Sequence, residues 1–522
     1  MTTESAIETW QVRKPAVTGR RGLVASQHHL ASDVGAQVLA EGGNAVDAAV
    51  AASLAIGTVE PWMSGLGGGG MMLVYEAAKD SVSCVDFGMV APTGLDPDDY
   101  PLTGNTSGEL FGWPAVLEDR NLHGYYAMAV PGYVDGIATA LERFGTRSWA
   151  DMLAPAIGLA EAGMMVDWYA TLKIATAAEI LNRFEESRRV YLPGGFPPVG
   201  EWGGPIPRTH LGVLPETLRR LAEAGPRDFY EGEIAAAIAA DTRAGGSTLT
   251  ADDLARYEAR VVPALGRPYR GATVHAAPDL SAGPTMQRAF ATLAERLSPG
   301  AAPDARTYLA YAGALTEAFA ERLATMGDAD EARQPSCTTH LSVIDAEGNM
   351  VALTQTLLSL FGSKVMLPRT GIMMNNGIMW FDPRPGRPNS IAAGKRPLSN
   401  MCPSIVVRDD GFRFAVGGSG GRRILPAVYQ LISFLTDYGM EMEAAFHQPR
   451  IDVSGSDLVA VDRTLAPDVV SALAGAFNTA EVQHGVYPAL FACPNAVGGF
   501  AGGEEQVGAA FVMSPWAKVS AA

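Results

Sequence analysis

Few residue patterns in this chain could support chemistry, and the strongest of them contains two adjacent threonines. The run Cys337-Thr338-Thr339-His340 lies where an acidic stretch gives way to a β-prone one. The chain has neither a GxSxG nucleophile elbow nor an HExxH helix, and its eight histidines are scattered. Metal catalysis is therefore unsupported, and we predict no metal site. A threonine at a strand start is, taken alone, usually only a β-branched residue in its preferred setting.

A second candidate is the glycine-rich segment 417–421, with the sequence Gly-Gly-Ser-Gly-Gly. It follows an alternating strand pattern at 412–416 and precedes an apolar helical run. Glycines at a helix start expose backbone N–H groups at the positive end of the helix dipole, which suits a phosphate, a carboxylate or an oxyanion. No Lys-Ser/Thr pair completes a P-loop, so phosphate is not favoured. An anion or oxyanion site and a structural turn both remain open.

An earlier glycine cluster, Gly65-x-Gly67-x-x-Gly70, matches the dinucleotide-binding fingerprint. That fingerprint requires a strand before it and a helix after it, so that the pyrophosphate meets a helix N-terminus. Here a strand-like run follows and Pro61 precedes. We therefore predict a tight turn or a close backbone approach, and we keep a nucleotide-binding oxidoreductase only as an unfavoured alternative.

The elements around these segments indicate a mixed α/β (α+β) chain. The pattern at 30–57 predicts two helices, separated by Gly42-Gly43 and with Asn44 capping the second. Helices dominate the middle third and end with a long one at 305–324, which is followed by a polar loop at 326–336. A hairpin at 340–344 and 350–356 comes next. Further strands are predicted at 371–375, 404–408 and 412–416, and a helix at 423–438.

Composition excludes several classes of protein. The 522 residues include 39 Lys+Arg and 56 Asp+Glu, a net charge of −17, which argues against nucleic acid and anionic membranes as partners. Four widely spaced cysteines exclude a disulfide framework. Residues 1–14 lack the apolar core of a secretory signal, and no apolar run reaches about 18 residues. We expect a soluble, cytoplasmic protein.

The sequence around the threonines resembles that of the γ-glutamyltranspeptidase family. Residues 335–357, PSCTTHLSVIDAEGNMVALTQTL, resemble the segment in which that family's precursors are cut before the first threonine of a TTH motif. Three further blocks agree with it in order: GLVAS…EGGNAVDAAVA…GLGGGGMML in 22–73, KRPLSNMCPSIVV in 395–407 and GGSGGRRI in 417–424. The similarity covers nearly the whole chain.

This resemblance implies an N-terminal-nucleophile hydrolase, folded as a four-layer αββα sandwich. It implies that Thr338 breaks the Cys337–Thr338 bond and then serves as the nucleophile of an acyl-enzyme. The fragments 1–337 and 338–522 would form one intertwined structural domain, a heterodimer, with a dimer of heterodimers left open. No cofactor is implied, and the partner is a small-molecule amide.

The resemblance also implies roles for individual residues. Gly420 and Gly421 match the family's oxyanion-hole glycines. Thr356 matches the second threonine, which orients the nucleophile, and Ser399 matches the first serine of the family's RPLSS block.

The glutamate-recognising residues of the family are mostly replaced. Gly88 stands where the family has a carboxylate-clamping arginine, and Leu358 where it has an asparagine. Gly377 and Trp380 replace a glutamine and an aspartate, and Asn400 replaces the second serine of RPLSS. A zwitterionic γ-glutamyl group would lose its ion pairs here, at a cost of several kcal/mol.

We therefore expect hydrolysis of another amide, with a small or carboxylated acyl group, as in the family's acylase and amidohydrolase branches. Trp380 and Phe381 are candidates for an apolar pocket wall or for core packing. The candidates for a carboxylate anchor, each also interpretable as a surface or structural ion-pair residue, are Arg369, Arg384, Arg396 and Arg422. Two alternatives stay open: a γ-glutamyl hydrolase or transferase with a rearranged pocket, and an unprocessed, catalytically silent homologue.

Overall fold

The computed structural model describes residues 9–106, 113–326, 337–487, 489–503 and 505–522. The strands are β1 (Val17–Gly19), β2 (Gly22–Ser26), β3 (Gly69–Glu76), β4 (Ser81–Phe87), β5 (Leu102–Thr106), β6 (Pro114–Val116), β7 (Met164–Met165), β8 (Arg208–Thr209), β9 (Arg260–Pro263), β10 (Leu265–Pro268), β11 (Ala272–Ala276), β12 (Cys337–Asp345), β13 (Met350–Leu358), β14 (Ser404–Arg408), β15 (Phe412–Ser419), β16 (Ile451–Asp452), β17 (Leu458–Asp462), β18 (Asn478–Val482), β19 (Cys493–Phe500), β20 (Gln506–Ala510) and β21 (Lys518–Ala521). The helices are α1 (His29–Ala40), α2 (Ala45–Val59), α3 (Tyr133–Phe144), α4 (Trp149–Ala162), α5 (Trp168–Leu181), α6 (Glu185–Tyr191), α7 (Leu214–Ala224), α8 (Asp228–Glu231), α9 (Glu233–Ala244), α10 (Ala251–Ala255), α11 (Gly283–Arg296), α12 (Ala305–Thr325), α13 (Ile424–Thr436), α14 (Met442–His447) and α15 (Pro467–Ala476).

Two seven-stranded antiparallel sheets form the centre of the molecule. The first sheet has the order β1-β20-β19-β15-β14-β11-β10, and the second has the order β21-β2-β12-β13-β3-β4-β9. Each sheet combines strands from before and after residue 337. An apolar layer between the sheets includes Leu73, Ala352 and Val497. The two sheets therefore pack face to face, as in a β-sandwich.

Helices cover the outer face of each sheet. One apolar cluster joins the second sheet to helices that include α2, α3 and α4, and another joins the first sheet to α11, α12 and α13. Because each sheet is buried on both faces, the strand residues of β13 are all buried, from Met350 to Leu358. This arrangement confirms the predicted four-layer αββα sandwich.

The helix pair before the glycine cluster forms as its sequence predicts. Gly42, with a φ of 83°, follows the end of α1 in a left-handed conformation that favours glycine. Asn44 then caps α2 by accepting from the N–H groups of Val46 and Asp47, and the Asp47 carboxylate accepts from the N–H of Asn44 in return. This capping box fixes the start of a helix that is buried on nearly all sides.

The Gly65–Gly70 cluster allows close backbone contact, as predicted. It leads into β3 rather than into a helix. A Cβ on Gly68 would lie 2.4 Å from the carbonyl oxygen of Thr356, and one on Gly70 would lie 2.5 Å from that of Thr354. The small residues therefore let the chain pack against β13, which pairs with β12, the strand of the predicted nucleophile.

Some predicted elements were wrong. Residues 371–375 do not form a strand: Met373 and Met374 make only isolated bridges. Gly417 and Gly418 belong to β15 instead of a loop, because β15 extends to Ser419 and pairs with β19 throughout. Of the predicted loop at 326–336, residues 327–336 lie outside the described residues.

Within the described ranges, we found no helix with the length and apolar character needed to cross a membrane.

Gly417 offers a test of the packing between the sheets. A Cβ there would lie 2.2 Å from the buried His340 ring. We expect Gly417→Ala to lower the free energy of unfolding by about 1–3 kcal/mol through overpacking, measured by urea denaturation. Gly158 in α4 has open space around its Cβ position, so Gly158→Ala is the matched control, expected to be neutral or stabilising by about 0.5–1 kcal/mol. Equal effects of the two changes would contradict this account of Gly417.

Candidate active site

The predicted nucleophile Thr338 lies near the start of β12, in the central hairpin of the second sheet. The pairing of β12 with β13 shifts register between Cys337 and Thr339, so that β13 has one extra residue in a bulge at this point. A bulge re-aims the side chains beside it. The Thr338 hydroxyl donates to Oγ1 of Thr356 at 3.2 Å. Thr338 is only 3% exposed, so this contact is shielded from water.

Thr356 also shapes the end of β13. Its hydroxyl accepts from the backbone N–H of Leu358 at 2.8 Å. Leu358 has a φ of 85°, an unfavourable conformation for a residue with a Cβ. Such strain costs about 1–3 kcal/mol and persists only where the surrounding structure holds it. The Thr356 hydroxyl therefore contacts the predicted nucleophile and also stabilises the sharp turn of the chain just after Thr356.

His340, two residues after Thr338, links the sheets and does not contact the nucleophile. Its Nδ1 lies 2.8 Å from Oγ1 of Thr354 and its Nε2 lies 3.0 Å from Oγ of Ser342. Complete burial lowers the pKa of His340 to about 3, so the ring is neutral. The Asn495 amide donates to the carbonyl of His340 at 2.7 Å from the first sheet. His340 thus serves as a neutral structural bridge.

The glycine pair Gly420-Gly421 makes a left-handed turn after β15. Their φ values are 135° and 63°, and a short 3₁₀ turn then leads into α13 at Ile424. Successive glycine amides at the start of a helical segment form a concavity that favours negative charge. An anion site at these two glycines remains a prediction, and their backbone geometry is compatible with it.

Several polar groups lie between this turn and the predicted nucleophile. Ser419, next to Gly420, pairs with Cys493 of β19. Cys493 interacts electrostatically with Glu60, and Glu60 lies 3.4 Å from the Thr339 hydroxyl. Ser419, Cys493 and Glu60 thus form a series of polar groups that leads from the glycine turn toward Thr339, the residue after Thr338.

A small cavity contains three of the predicted substrate-binding residues, Gly88, Trp380 and Ser399. Its other lining residues are Met71, Asp86, Met89, Arg260, Leu280, Arg396 and Pro397. Met71 lies on β3 two residues from Gly69, which pairs with Thr356. Because residues two apart on a strand share a face, the cavity opens on the same face of the sheet as Thr356.

The other predicted substrate residues do not line this cavity. Leu358 is buried in the apolar layer between the sheets. Gly377 packs tightly, since a Cβ there would lie 2.7 Å from Ala129 and 2.9 Å from the Met89 sulfur. Asn400 accepts through Oδ1 from the Arg322 guanidinium at 3.3 Å. Phe381 is part of the core and not of the cavity wall.

Arg322 was not predicted from the sequence, yet it anchors the Ser399–Asn400 segment. It donates to the carbonyl oxygens of Ser399 at 2.6 Å and Ser281 at 2.8 Å. Burial lowers its pKa to about 9. A fully buried arginine must satisfy its donors internally, so it fixes the backbone beside the cavity.

Among the four arginines proposed as anchors, only Arg396 lines the cavity. Its Nη1 lies 3.0 Å from the carbonyl oxygen of Gly88 and 3.5 Å from Oδ1 of Asp86. Arg260, which sequence reasoning missed, pairs with the other oxygen of Asp86. Two guanidinium groups therefore share one carboxylate, and the wall has a net positive charge.

The remaining three arginines make other contacts. Arg369 pairs with Asp241 at 2.7 Å, and Arg384 pairs with Asp382 at 2.9 Å. Arg422 lies over the Trp113 ring at 5.8 Å. We therefore retain Arg396 as the anchor candidate.

Sequence comparison identifies the family. The family model described as gamma-glutamyltranspeptidase matches residues 31–337 and 329–487. The glutathione hydrolase proenzyme of Bacillus subtilis (strain 168) is 30% identical over 530 residues, which cover 90% of this chain and 88% of that protein. The acylase ACY 1 proenzyme of Pseudomonas sp. (strain V22) is 34% identical over 498 residues, covering 88% of this chain and 87% of that protein.

Structural comparison agrees with this result. The cephalosporin acylase from Bacillus halodurans has a TM-score of 0.85 at 23% identity, covering 100% of this chain and 99% of that one. The γ-glutamyltranspeptidase of Helicobacter pylori has a TM-score of 0.51 at 27% identity, covering 62% and 86%. Fold and family together define an enzyme of the N-terminal-nucleophile hydrolase class, an amide hydrolase or acyltransferase. Within that class, the chain belongs to the gamma-glutamyltranspeptidase family.

The double role of Thr356 can be tested by removing its hydroxyl. Thr356→Val would leave the buried N–H of Leu358 and the hydroxyl of Thr338 without their partner. We expect a loss of about 1–3 kcal/mol in the free energy of unfolding, measured by guanidinium denaturation. Thr356→Ser keeps the hydroxyl and should retain most of the stability. An equal loss in both variants would show that the methyl group, not the hydroxyl, is what matters.

Proposed function

We propose that this protein is a self-processing amidohydrolase whose nucleophile is Thr338. The observation that carries the proposal is the contact between the hydroxyls of Thr338 and Thr356 at the bulge. In processing, Oγ1 of Thr338 attacks the carbonyl carbon of Cys337, and the C–N bond breaks as the acyl group moves from nitrogen to oxygen. Water then hydrolyses the ester. The products are a carboxylate at Cys337 and a free α-amino group at Thr338.

The same atoms then perform turnover. An α-amino group has a reference pKa near 8, so a fraction of it is neutral at pH 7 and can accept the proton of its own hydroxyl. The hydroxyl attacks the substrate amide, the amine leaves, and water or another amine takes the acyl group from Thr338. The backbone amides of Gly420 and Gly421 would stabilise the oxyanion of the reaction intermediate. In enzymes with such a site, the loss of one hydrogen-bond donor typically lowers kcat by about 10²–10³.

The fragments 1–337 and 338–522 would remain together after the cut. Both large sheets combine strands from the two sides of residue 337, for example β2 beside β12 and β1 beside β20. Separating the fragments would expose the edges of several buried strands and the apolar layer between the sheets. We therefore propose one intertwined domain built from a heterodimer.

We propose a small amide with a carboxylated acyl group as substrate. The cavity's net positive wall of Arg260, Asp86 and Arg396 favours a carboxylate, while Trp380 and Met89 provide apolar contact. Similarity to an acylase proenzyme supports this substrate class. A γ-glutamyl substrate is the second candidate, favoured by similarity to a glutathione hydrolase proenzyme. Leu358 and Gly88 argue against it, because neither provides a charged or polar side chain.

Processing can be tested on a denaturing gel of the purified protein. We expect two bands for the wild type, corresponding to 337 and 185 residues, and a single band for Thr338→Ala, which lacks the attacking oxygen. Mass spectrometry of the small fragment should give a sequence beginning at Thr338. An unprocessed and inactive wild type would instead support the catalytically silent alternative.

Arg396 can be tested by comparing charged with uncharged substrates. We expect Arg396→Ala to raise KM for amides of carboxylated acids about tenfold or more, as for the loss of a charge-assisted hydrogen bond. Amides of uncharged acids of similar size should be much less affected. Arg369→Ala, at an ion pair outside the cavity, is the control. Rapid turnover of a γ-glutamyl anilide by the wild type would favour the second candidate.

A further inference from the structure

Glu60 is a buried acidic group with no assigned role, directly behind the predicted nucleophile. It follows α2 and is 2% exposed. Its Oε2 lies 3.4 Å from the hydroxyl of Thr339, the residue after Thr338. Within the described ranges, no cationic group forms an ion pair with it at 4 Å or less. A carboxylate in this position would be a buried charge without a direct counter-ion, which is costly.

Three elements besides its own face this carboxyl group. The strand β12 contributes the Thr339 hydroxyl, the helix α5 contributes Lys173, and β19 contributes the thiol of Cys493. Burial raises the pKa of Glu60 to about 8, while Lys173 and the Thr339 hydroxyl oppose that shift. Burial also raises the pKa of the Cys493 thiol to about 11. Near neutral pH, the groups on this side of Thr338 other than Lys173 are therefore mostly uncharged.

The backbone after Glu60 holds the other strand of the nucleophile hairpin. The carbonyl of Glu60 accepts from Met63, whose own carbonyl accepts from the N–H of Leu357 at 2.9 Å. The carbonyl of Trp62 accepts from the N–H of Phe361 at 2.9 Å. The segment 60–63 thus contacts β12 through the Glu60 side chain and the end of β13 through its backbone. Thr338 and Thr356 lie between these two attachments.

We propose that Glu60 is a positioning residue for Thr338: its neutral carboxyl group fixes Thr339 and keeps the two strands of the hairpin in register, and its ionisation sets the alkaline limit of turnover. This inference rests on the proposed role of Thr338 as nucleophile. Glu60 makes no contact with the reacting atoms, so it acts through Thr339 and the hairpin.

Two consequences of ionisation act in the same direction. A buried anion would draw in water or Lys173, and either movement disturbs the segment that holds both strands. The anion would also stabilise the protonated α-amino group of Thr338 and so remove the base that activates the hydroxyl. We therefore expect a bell-shaped rate profile, rising as the α-amino group loses its proton and falling as Glu60 loses its own.

The same burial affects stability with a defined sign. Unfolded glutamate has an ordinary pKa of about 4.5, whereas folding raises the pKa of Glu60 to about 8. Between these values the folded state holds a proton that the unfolded state has lost, so stability falls as pH rises from about 4.5 to about 8. Above that range, Glu60 no longer makes the free energy of unfolding depend on pH. The substitution Glu60→Gln removes this contribution.

The test is the pH–rate profile of the processed enzyme with its best amide substrate, for the wild type and Glu60→Gln. Glutamine imitates the neutral carboxyl group in shape and cannot ionise. We expect the wild-type kcat to fall about tenfold between pH 8 and pH 9.5, and the variant to lose this fall. Glu60→Ala should lower kcat at every pH, because the contact with Thr339 is gone. Glu179→Gln, on the exposed surface of α5, is the control and should retain the wild-type profile.

The possible results separate the two proposals. An identical alkaline fall in the wild type and Glu60→Gln, or a wild-type rate that stays level to pH 9.5, overturns the role of Glu60 and leaves Thr338 untouched. A wild type that is never cut and never active overturns the role of Thr338 instead. Thermal unfolding gives a readout independent of activity: the difference in Tm between Glu60→Gln and the wild type should grow between pH 5 and pH 8. A constant difference would contradict a neutral, buried Glu60.

Discussion

The contact between the hydroxyls of Thr338 and Thr356 depends on their burial in a hairpin that is covered on both faces. In water, each hydroxyl would exchange freely between solvent partners. Inside the sandwich, an unpaired hydroxyl costs about 1–3 kcal/mol, so the Thr338 hydroxyl is stabilised by its contact with Thr356. The bulge that brings them together also displaces the chain at Leu358 into a strained conformation. The rest of the fold, with two sheets and two helical layers, keeps water away from this one contact.

Charge is distributed unevenly around that contact. His340 of β12 is neutral because burial lowers its pKa. Burial likewise favours the neutral form of Glu60, which contacts β12 through Thr339. Full charges appear instead at the cavity wall, on Asp86, Arg260 and Arg396. A mostly neutral, dry environment strengthens the interaction of backbone amides with a developing oxyanion. In the proposed mechanism, the place where charge develops is therefore separate from the place where a charged substrate group would be recognised.

Local features could be predicted from the sequence, whereas long-range pairs could not. The cap at Asn44 and the hairpin follow from residue types and spacing within a few positions, and the glycine cluster predicts a close backbone approach without identifying its partner. By contrast, Arg396 meets Gly88 across 308 residues, and Glu60 meets Thr339 across 279. The apolar run 371–375 was predicted as a strand because it resembles one locally, but it has only isolated bridges to its neighbours. Only the folded sheets decide which distant groups become neighbours.

The overall charge of −17 and the positive cavity wall act over different distances. At physiological ionic strength the Debye length is about 8 Å, so scattered surface carboxylates are largely screened from one another and from an approaching anion. Arg260 and Arg396 line a cavity, where they would act on a bound carboxylate at hydrogen-bond distance, well within the Debye length. The proposed selection of a carboxylated substrate is therefore compatible with an acidic protein, because it would depend on the two nearby guanidinium groups and not on the net charge.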